Sequence, residues 1–474
     1  MDLSRREYVF IIILLLAGVA LVSCLWGKRS GSRDKAVSLF TFLNALLLHF
    51  FYIIYTPTYV RQHDVIGFGN NNGIGQAALI EYLMKEGHLP DFDPRERWGF
   101  FQPLLHHIIS AVFLKINLLF GVNYGAASER LQLLTLIYSM VFIFYGFRIF
   151  RLMGLKGAGL HVSEALLAFH PLLILLSGSV NNDMLSHMFF VMAVYYVLKW
   201  YMEDSLSCLL LTALMIGLSM MAKLSGVLAA PAAAFLMLVR LFSDRGDADR
   251  IKKRIGEYAL FALVVFPLGL FFPIRNMVLF HVPLSYMPKV GEDLSGHSLL
   301  ARIADIRTCT PYACMIKNGA PYDEFNIFLL MIKTSLTGEY DFSGVNPYIG
   351  FFAWMLFISG VLLGITAAVI LVLYISGKCF KNEVPIRLFW SILILTGVFF
   401  MLRLMITVPN FSSGDMRYIA WITVPLCMMN GMYLSDGNAG WKGWKPGGAE
   451  LFIIGESIMF VIASMGVYYL LGMP

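Results

Sequence analysis

The sequence predicts an all-α polytopic membrane protein, and three properties indicate this class. Mean hydropathy over the 474 residues is +0.71, and 58% of the residues are hydrophobic. Only 14% are charged, whereas soluble domains carry about 25% charged residues. Apolar runs of roughly 17 residues or more are long enough to cross a bilayer as helices. They predict about twelve transmembrane helices, at 8–27, 36–56, 126–147, 161–179, 184–201, 206–222, 225–242, 257–274, 350–376, 386–406, 418–435 and 450–471.

Lysine and arginine residues indicate how these predicted spans are oriented. In short loops such residues concentrate on the cytoplasmic side of a membrane. Here they occupy alternate turns, whereas 179–184 has none. The two long loops, 57–125 and 275–349, are therefore predicted to share the extracytoplasmic face, and both termini are predicted to lie there too. The basic turns are 28–35, 148–156, 240–254, 378–387 and 442–445.

The first long loop carries a dense polar stretch, from His63 to Ser110, between two apolar runs. Within it, Gly75 to Gly87 has helical spacing and predicts a helix lying in the membrane interface. Residues 103–121 predict a second interfacial or partly inserted helix, because Lys115 disfavours a full lipid-facing span. The second long loop contains a further predicted amphipathic helix at 321–336.

Asp64 is the first candidate for chemistry, because it lies just beyond the predicted span 36–56. Partial desolvation at such a position raises the pKa of a carboxylate and strengthens it as a general base toward an acceptor hydroxyl. A turn or helix-end aspartate is the alternative interpretation. Glu81, on the first interfacial helix, is predicted to assist Asp64 or hold a substrate hydroxyl, with a solvated helix face as the alternative.

Three basic residues lie at span ends on the predicted outer rim: Lys223, Arg275 and Arg417. Arg and Lys stabilise an anionic phosphate group at such a surface. The alternative for each is a side chain that extends to the membrane interface. Because all three converge on one rim, we expect them to bind phosphate.

The turn at 181–183 joins two predicted spans with almost no linker. Its side chains are predicted to cap the following helix, and Asp183 is also a candidate for orienting a substrate hydroxyl. His106, beside His107 on the second interfacial helix, is predicted either to line the site or to anchor that helix at the interface. Cys309 and Cys314, in the second long loop, either form a short disulfide in an oxidising compartment or stay as free thiols.

Several short motifs, taken in order, resemble the GT-C class of membrane-embedded glycosyltransferases. The first runs from HD through EYLMKEGHLPDF and FFQPLLHHIISAVF to LFGVNYGAASERL. SGSVNNDMLSHMFF, AKLSG, FPIRN and MRYI follow, so the likeness covers 36–285 and 415–425. It is greatest to the branch that uses polyprenyl-phosphate sugars, which includes protein O-mannosyltransferases and aminoarabinose transferases (glycosyltransferase family 39). The matching positions are Asp64, Gly87 with Pro90, Pro103-Leu104, and Gly121 with Arg130.

This resemblance implies a GT-C fold in which Asp64 is the catalytic base. It implies no cofactor and no divalent metal, although Asp91 and Asp93 have a spacing at which carboxylates hold Mg²⁺. Two positions depart from the family pattern: His63-Asp64 replaces an acidic pair, and Gln102-Pro103 replaces a double proline. The donor phosphate is assigned to Lys223, Arg275 and Arg417. Substrate binding is assigned to His63, Glu81, Gln102, His106, Asn182 and Asp183.

The implied function is an inverting transfer of a single sugar from a polyprenyl-phosphate donor to an acceptor hydroxyl on the extracytoplasmic face. The acceptor is a lipid, glycan or protein, and the sugar is left open. A transporter or flippase for lipid-linked sugars is one alternative, and a polymerase or ligase is another. No basic block suggests nucleic acid. The predicted divisions are an extra N-terminal helix at 1–35, a catalytic module at 36–285, an outer loop at 286–349 and C-terminal spans at 350–474.

Overall fold

The protein is a bundle of α-helices, and a computed structural model shows no β-strand among the residues that it describes. The predicted all-α class is therefore confirmed. Asp64 and the pair Cys309 and Cys314 lie outside the described residues, so the predictions about them stay predictions. The described residues are 5–60, 63, 65–284, 286, 297–305, 326–338, 348–380, 382–409, 411–436 and 446–473.

Eighteen α-helices follow one another along the described part of the chain, and short 3-10 segments separate some of them. The helices are α1 (Arg5–Ser30), α2 (Arg33–Tyr55), α3 (Gly75–Glu86), α4 (Leu105–Leu119), α5 (Tyr124–Glu129), α6 (Gln132–Leu152), α7 (Gly157–Ala168), α8 (Pro171–Gly178), α9 (Asp183–Glu203), α10 (Leu206–Ala222), α11 (Ala230–Ser243), α12 (Ala248–Phe280), α13 (Leu299–Ala304), α14 (Ile327–Leu336), α15 (Tyr348–Ile375), α16 (Val384–Thr407), α17 (Thr423–Asp436) and α18 (Gly448–Leu471).

Nine helical segments in the described ranges are long and apolar enough to cross a membrane. They are α1, α2, α5 with α6, α7 with α8, the 3-10 segment 224–229 with α11, α12, α15, α16 and α18. Each coincides with one of the predicted spans, which confirms an integral, multi-pass membrane protein. The remaining three predicted spans form α9, α10 and α17, so the full count of twelve is not confirmed.

The two helices predicted in the first long loop are present as α3 and α4, which pack against each other around a small apolar core of their own. Helix α3 ends where Gly87 adopts a left-handed conformation, with φ of 72°, a common termination signal for helices. Most of α3 is buried, including the side chain of Glu81. The helix therefore lies beneath other loop segments and does not present Glu81 on a solvated face.

Small residues let the central helices approach each other closely. A Cβ atom on Gly159 of α7 would lie 2.2 Å from the carbonyl oxygen of Gly431 on α17. A Cβ atom on Gly431 would lie at the same distance from the Gly159 carbonyl oxygen. Beside this crossing, the Ser163 hydroxyl donates to the Cys427 carbonyl at 3.1 Å. Such contacts stabilise helix pairs in a bilayer, where apolar surface alone gives little preference for another helix over lipid.

One end of the bundle brings together four chain reversals. These are the loop between α2 and α4, the α8–α9 turn, the segment between α10 and α11, and the 3-10 segments between α16 and α17. The polar residues singled out in the sequence, including Gln102, Asp183, Lys223 and Arg417, belong to these reversals. The fold therefore gathers residues that are more than 300 positions apart in the chain.

Candidate functional site

A cavity of about 490 Å³ opens at this end of the bundle. Its walls come from the loop before α4, the α8–α9 turn, the start of the segment after α10, the end of α12, and the region around the C-terminus of α16. Five of the residues predicted for the site line it: Gln102, Asn182, Asp183, Lys223 and Arg417.

The charged part of the cavity is built around Asp183, whose side chain is only 4% exposed. The Lys223 ammonium donates a hydrogen bond to Asp183 Oδ1. Arg417 Nε lies 3.8 Å from Asp183 Oδ2 and 3.3 Å from Asp415 Oδ2. A buried carboxylate needs such cationic partners to stay ionised, so Asp183 fixes both basic groups at one wall.

Tyr418 orders the same two cations. Its ring centroid lies 4.5 Å from Lys223 Nζ and 5.2 Å from Arg417 Cζ, distances at which a cation is attracted to an aromatic face. The backbone of this segment is held as well, because the His187 imidazole donates from Nε2 to the Arg417 carbonyl at 2.6 Å. Lys223 and Arg417 are therefore positioned by several contacts.

Neutral amides form the neighbouring wall. Gln76 Nε2 donates to Gln102 Oε1 at 3.2 Å, and Asn182 Nδ2 donates to the same oxygen at 2.7 Å. The backbone brings these groups together, because the Gly75 amide donates to the Trp98 carbonyl at 2.7 Å. Gly99 follows with φ of 93°, and a Cβ atom there would lie 3.0 Å from the Gly75 backbone. Glycine is favoured at Gly99 for both reasons.

The rest of the cavity is predominantly apolar. Helix α16 contributes Phe400 and Leu404, α12 contributes Pro273, and the segment after α12 contributes Val282 and Leu284. Several of these residues belong to helices that are apolar enough to cross a membrane. The cavity thus combines a cationic corner, an amide wall and an apolar side, which suits a molecule with an anionic head group and a hydrocarbon chain.

Arg275, the third predicted phosphate-binding cation, does not line the cavity in the part of the chain that the structure describes. Its guanidinium donates to the Pro90 carbonyl at 2.6 Å and to Asn276 Oδ1 at 3.2 Å. It also lies 5.5 Å from the Phe280 ring centroid. In this arrangement Arg275 attaches the first long loop to the end of α12.

Glu81 is likewise engaged by its own loop. Its carboxylate accepts hydrogen bonds from the Gly69 amide at 2.6 Å, from Asn71 Nδ2 at 3.1 Å and from the Tyr124 hydroxyl. Glu81 does not line the described part of the cavity. These contacts join α3, α5 and the turn before α3, so Glu81 holds these parts of the loop together.

His63 and His106 are completely buried next to the cavity. The Tyr52 hydroxyl is hydrogen-bonded to His63 Nε2 at 2.8 Å, and Asn181 Nδ2 donates to the His63 carbonyl at 3.2 Å. Burial lowers the pKa of His63 from its usual value near 6.5 to about 3, so its imidazole is neutral at physiological pH. His106 Nε2 lies 3.4 Å from the Ser110 hydroxyl on the next turn of α4.

Of the two carboxylates considered for metal binding, Asp91 is exposed and Asp93 is half-buried. Arg95 donates to Asp93 from Nε at 3.0 Å and from Nη2 at 2.6 Å, and these hydrogen bonds hold the pKa of Asp93 below its usual range. Arg95 also donates to the Phe280 carbonyl at 3.0 Å. Asp93 therefore takes part, with Arg275, in fastening the loop to α12.

Comparison with known protein families supports the class that this geometry suggests. Residues 102–271 match the family model described as dolichyl-phosphate-mannose-protein mannosyltransferase. The matched stretch contains Gln102, Asn182, Asp183 and Lys223 of the cavity. This stretch is thus similar to a family of membrane glycosyltransferases, in agreement with the resemblance predicted from the sequence motifs.

Solved structures give a more distant comparison. The crystal structure of ArnT from Cupriavidus metallidurans bound to undecaprenyl phosphate superposes with a TM-score of 0.40 at 14% identity, over 90% of this chain and 76% of that chain. The same protein in the apo state gives a TM-score of 0.37 at the same identity and coverage. No protein of curated function matches the sequence significantly.

Sequence reasoning missed four residues of this region: Gln76, Trp98, Asp415 and Tyr418. Tyr418 belongs to the MRYI motif, and Asp415 precedes Arg417 by two positions, so the motif itself was the available signal. Gln76 and Trp98 had no comparable signal, because their place at the cavity depends on the backbone contact between Gly75 and Trp98. That contact joins residues whose separation follows no helical or strand period.

Proposed function

We propose that this protein transfers a single sugar from a polyprenyl-phosphate donor to an acceptor hydroxyl on the extracytoplasmic side of the membrane, with inversion at the anomeric carbon. The observation that carries this proposal is the convergence of Lys223 and Arg417 on a cavity with an otherwise apolar side. A lipid phosphate has the same division between an anionic group and a hydrocarbon chain.

Lys223 and Arg417 would hold the phosphate of the donor. An ammonium group has three N–H donors, so Lys223 can donate to Asp183 and to a phosphate oxygen at the same time. As the bond from the anomeric carbon to the phosphate oxygen breaks, its electron pair moves onto the phosphate. Preorganised cations stabilise that developing charge, and the apolar side of the cavity accommodates the first part of the polyprenyl chain.

Asp64 is proposed as the general base. The carbonyl of His63, which directly precedes it in the chain, accepts a hydrogen bond from Asn181, and Asn181 lines the cavity. The carboxylate would take the proton from the acceptor hydroxyl while that oxygen forms a bond to the anomeric carbon. Attack from the face opposite the leaving phosphate gives inversion. No step in this sequence requires a metal ion.

The extracytoplasmic location rests on charge distribution. The cavity lies at the end of the bundle that carries the loop between α2 and α4, whereas Lys and Arg concentrate in the short turns at 148–156 and 240–254. The positive-inside rule places those turns in the cytoplasm. A site at the opposite end would take its donor from the outer leaflet.

The proposal is tested by incubating membranes that contain the protein with undecaprenyl phosphate carrying radiolabelled mannose, glucose, galactose or arabinose. We expect label to move from at least one donor to a membrane lipid, glycan or protein, with release of undecaprenyl phosphate, and membranes without the protein should show neither. Mass analysis identifies the product. Binding of these donors without turnover would contradict the proposal and would favour a transporter of lipid-linked sugars.

A further inference from the structure

The amide wall of the cavity is part of a longer hydrogen-bonded chain whose direction can be determined. It begins at the Ala222 carbonyl, which accepts from Asn182 Nδ2 at 2.9 Å. A carbonyl can only accept, so the Asn182 side chain must turn its NH₂ group toward Ala222. The second N–H of the same group then points at Gln102, 2.7 Å away.

This orientation propagates along the chain. Because Asn182 donates, Gln102 must present its Oε1, and because Oε1 is an acceptor, Gln76 must present its Nε2. The other end of the Gln76 amide, Oε1, is hydrogen-bonded to His107 Nε2, which must therefore carry the proton. Flipping any one amide would set two donors or two acceptors against each other, so no member can flip alone.

Two polar groups remain after these bonds are assigned. Neither the Gln102 NH₂ group nor the Asn182 Oδ1 atom has a hydrogen-bond partner among the residues that the structure describes. Both groups are accessible at the protein surface, and both residues line the cavity. The wall thus offers the cavity a donor from Gln102 and an acceptor from Asn182, in an order that the Ala222 carbonyl sets and that the bonds to Gln76 and His107 hold in place.

We propose that Gln102 and Asn182 bind hydroxyl groups of the transferred sugar, and that Gln76 and His107 are positioning residues for this contact. The inference rests on the proposed function. A hydroxyl both donates and accepts, so it satisfies both amides, either alone or with its neighbour on the ring. An ammonium group can only donate and a carboxylate can only accept. The pair therefore selects an uncharged, hydroxylated part of the sugar.

The location of the pair agrees with this assignment. Asn182 immediately precedes Asp183, which holds Lys223, so the amide wall adjoins the corner proposed for the phosphate. A sugar attached to that phosphate would lie within reach of the amides. The described charged residues at this corner form ion pairs with one another: Asp183, Asp415, Lys223 and Arg417. The neutral amides are therefore the groups that remain to bind the sugar.

The test measures binding and needs no knowledge of the acceptor. Purified full-length protein is loaded with labelled undecaprenyl phosphate. Undecaprenyl-phosphate mannose, glucose, galactose and arabinose are then compared as competitors, and the sugar that displaces the label at the lowest concentration is chosen. Each monodeoxy analogue of that sugar is then compared. We expect removal of one particular hydroxyl to weaken wild-type binding roughly tenfold, the usual effect of leaving a buried polar partner unsatisfied.

Variants then assign the effect to the chain of amides. In the Gln102→Leu and Gln76→Leu variants, the loss of affinity caused by the missing hydroxyl (the deoxy penalty) should fall below about twofold. Undecaprenyl phosphate itself should bind as it does to the wild type. His107→Leu should behave in the same way, whereas His107→Gln, which keeps an N–H donor, should retain the penalty. Asn44→Leu removes a buried amide elsewhere, in α2, and serves as the matched control that keeps the penalty.

A wild-type protein that binds undecaprenyl phosphate but binds every deoxy analogue equally well would overturn this inference and leave the proposed function standing. Failure of the wild type to bind undecaprenyl phosphate would overturn both this inference and the proposed function. If Gln76→Leu does not fold, Gln76→Glu replaces it, since a carboxylate accepts from His107 but cannot donate to Gln102. An undiminished penalty in that variant would show that Gln76 does not position the pair.

Discussion

Lys223 donates a hydrogen bond to Asp183 at the wall of the cavity, and the Asp183 side chain is 4% exposed while that of Lys223 is 20% exposed. The two residues lie 40 positions apart, at the start of α9 and just after α10. Their contact joins two helices at the end of the bundle where the donor phosphate is proposed to bind. The pair therefore contributes both to folding and to the charge that the site offers.

Replacing Asp183 with Asn should destabilise the protein. The substitution removes the shared partner of Lys223 and Arg417, and breaking a buried pair typically costs about 3–5 kcal/mol. Because Lys223 is partly exposed, we expect a cost near or below the lower end of that range. Thermal denaturation in detergent measures it. A double variant with Lys223→Met should recover part of the loss, and strictly additive effects would show that the pair is not coupled.

Replacing Arg417 with Met should weaken binding of undecaprenyl phosphate by about tenfold to a hundredfold. Hydrogen bonds to charged groups contribute about 1.5–3 kcal/mol, and each 1.4 kcal/mol corresponds to a factor of about ten. Equilibrium binding to purified protein gives the value. Arg275→Met is the matched control, since Arg275 contacts Pro90 outside the cavity. An equal loss of affinity in the two variants would contradict the assignment.

Replacing Glu81 with Gln should loosen the first long loop. The Glu81 carboxylate accepts from the Gly69 amide, Asn71 and the Tyr124 hydroxyl, and an amide cannot accept three donors in the same way. We expect faster tryptic cleavage after the exposed Arg95, followed by mass spectrometry. Tyr124→Phe should show the same change to a smaller extent. Wild-type cleavage rates in both variants would exclude this structural role.

Replacing Gly159 with Ala should separate α7 from α17. The added methyl group would meet the Gly431 carbonyl oxygen at 2.2 Å, and overpacking of this kind commonly costs about 1–3 kcal/mol. A lower melting temperature in detergent is the expected result. Gly455→Ala is the control, since a Cβ atom there meets nothing within 4 Å. If the two variants melted alike, the close crossing would not be needed for stability.

Much of the architecture could be predicted because membrane spans follow from apolar run length. Nine predicted spans coincide with helices of sufficient length, and the loop helices at 75–86 and 105–119 were also anticipated. The remaining predicted spans, such as 206–222, form helices that are shorter or less apolar. Run length alone does not separate a span from a helix buried among other helices, so it predicts the class of the fold but not the number of spans.

The candidate site could be predicted only in part. Lys223 and Arg417 line one cavity, as expected for two of the three basic residues at span ends, whereas their contacts with Asp183 were not predicted. Arg275 has the same sequence character but turns toward Pro90 instead. Which cation faces the cavity depends on the path of the loops, and neither hydropathy nor charge spacing carries that information.

The most direct test of the central claim is the transfer activity of Asp64→Asn. An amide cannot take the proton from the acceptor hydroxyl, so the variant should lose nearly all transfer of label from the undecaprenyl-phosphate sugar that the wild type uses. Undecaprenyl phosphate binding should stay within about twofold of wild type, and Asp91→Asn in the same loop should transfer normally. Full transfer by Asp64→Asn would contradict the account.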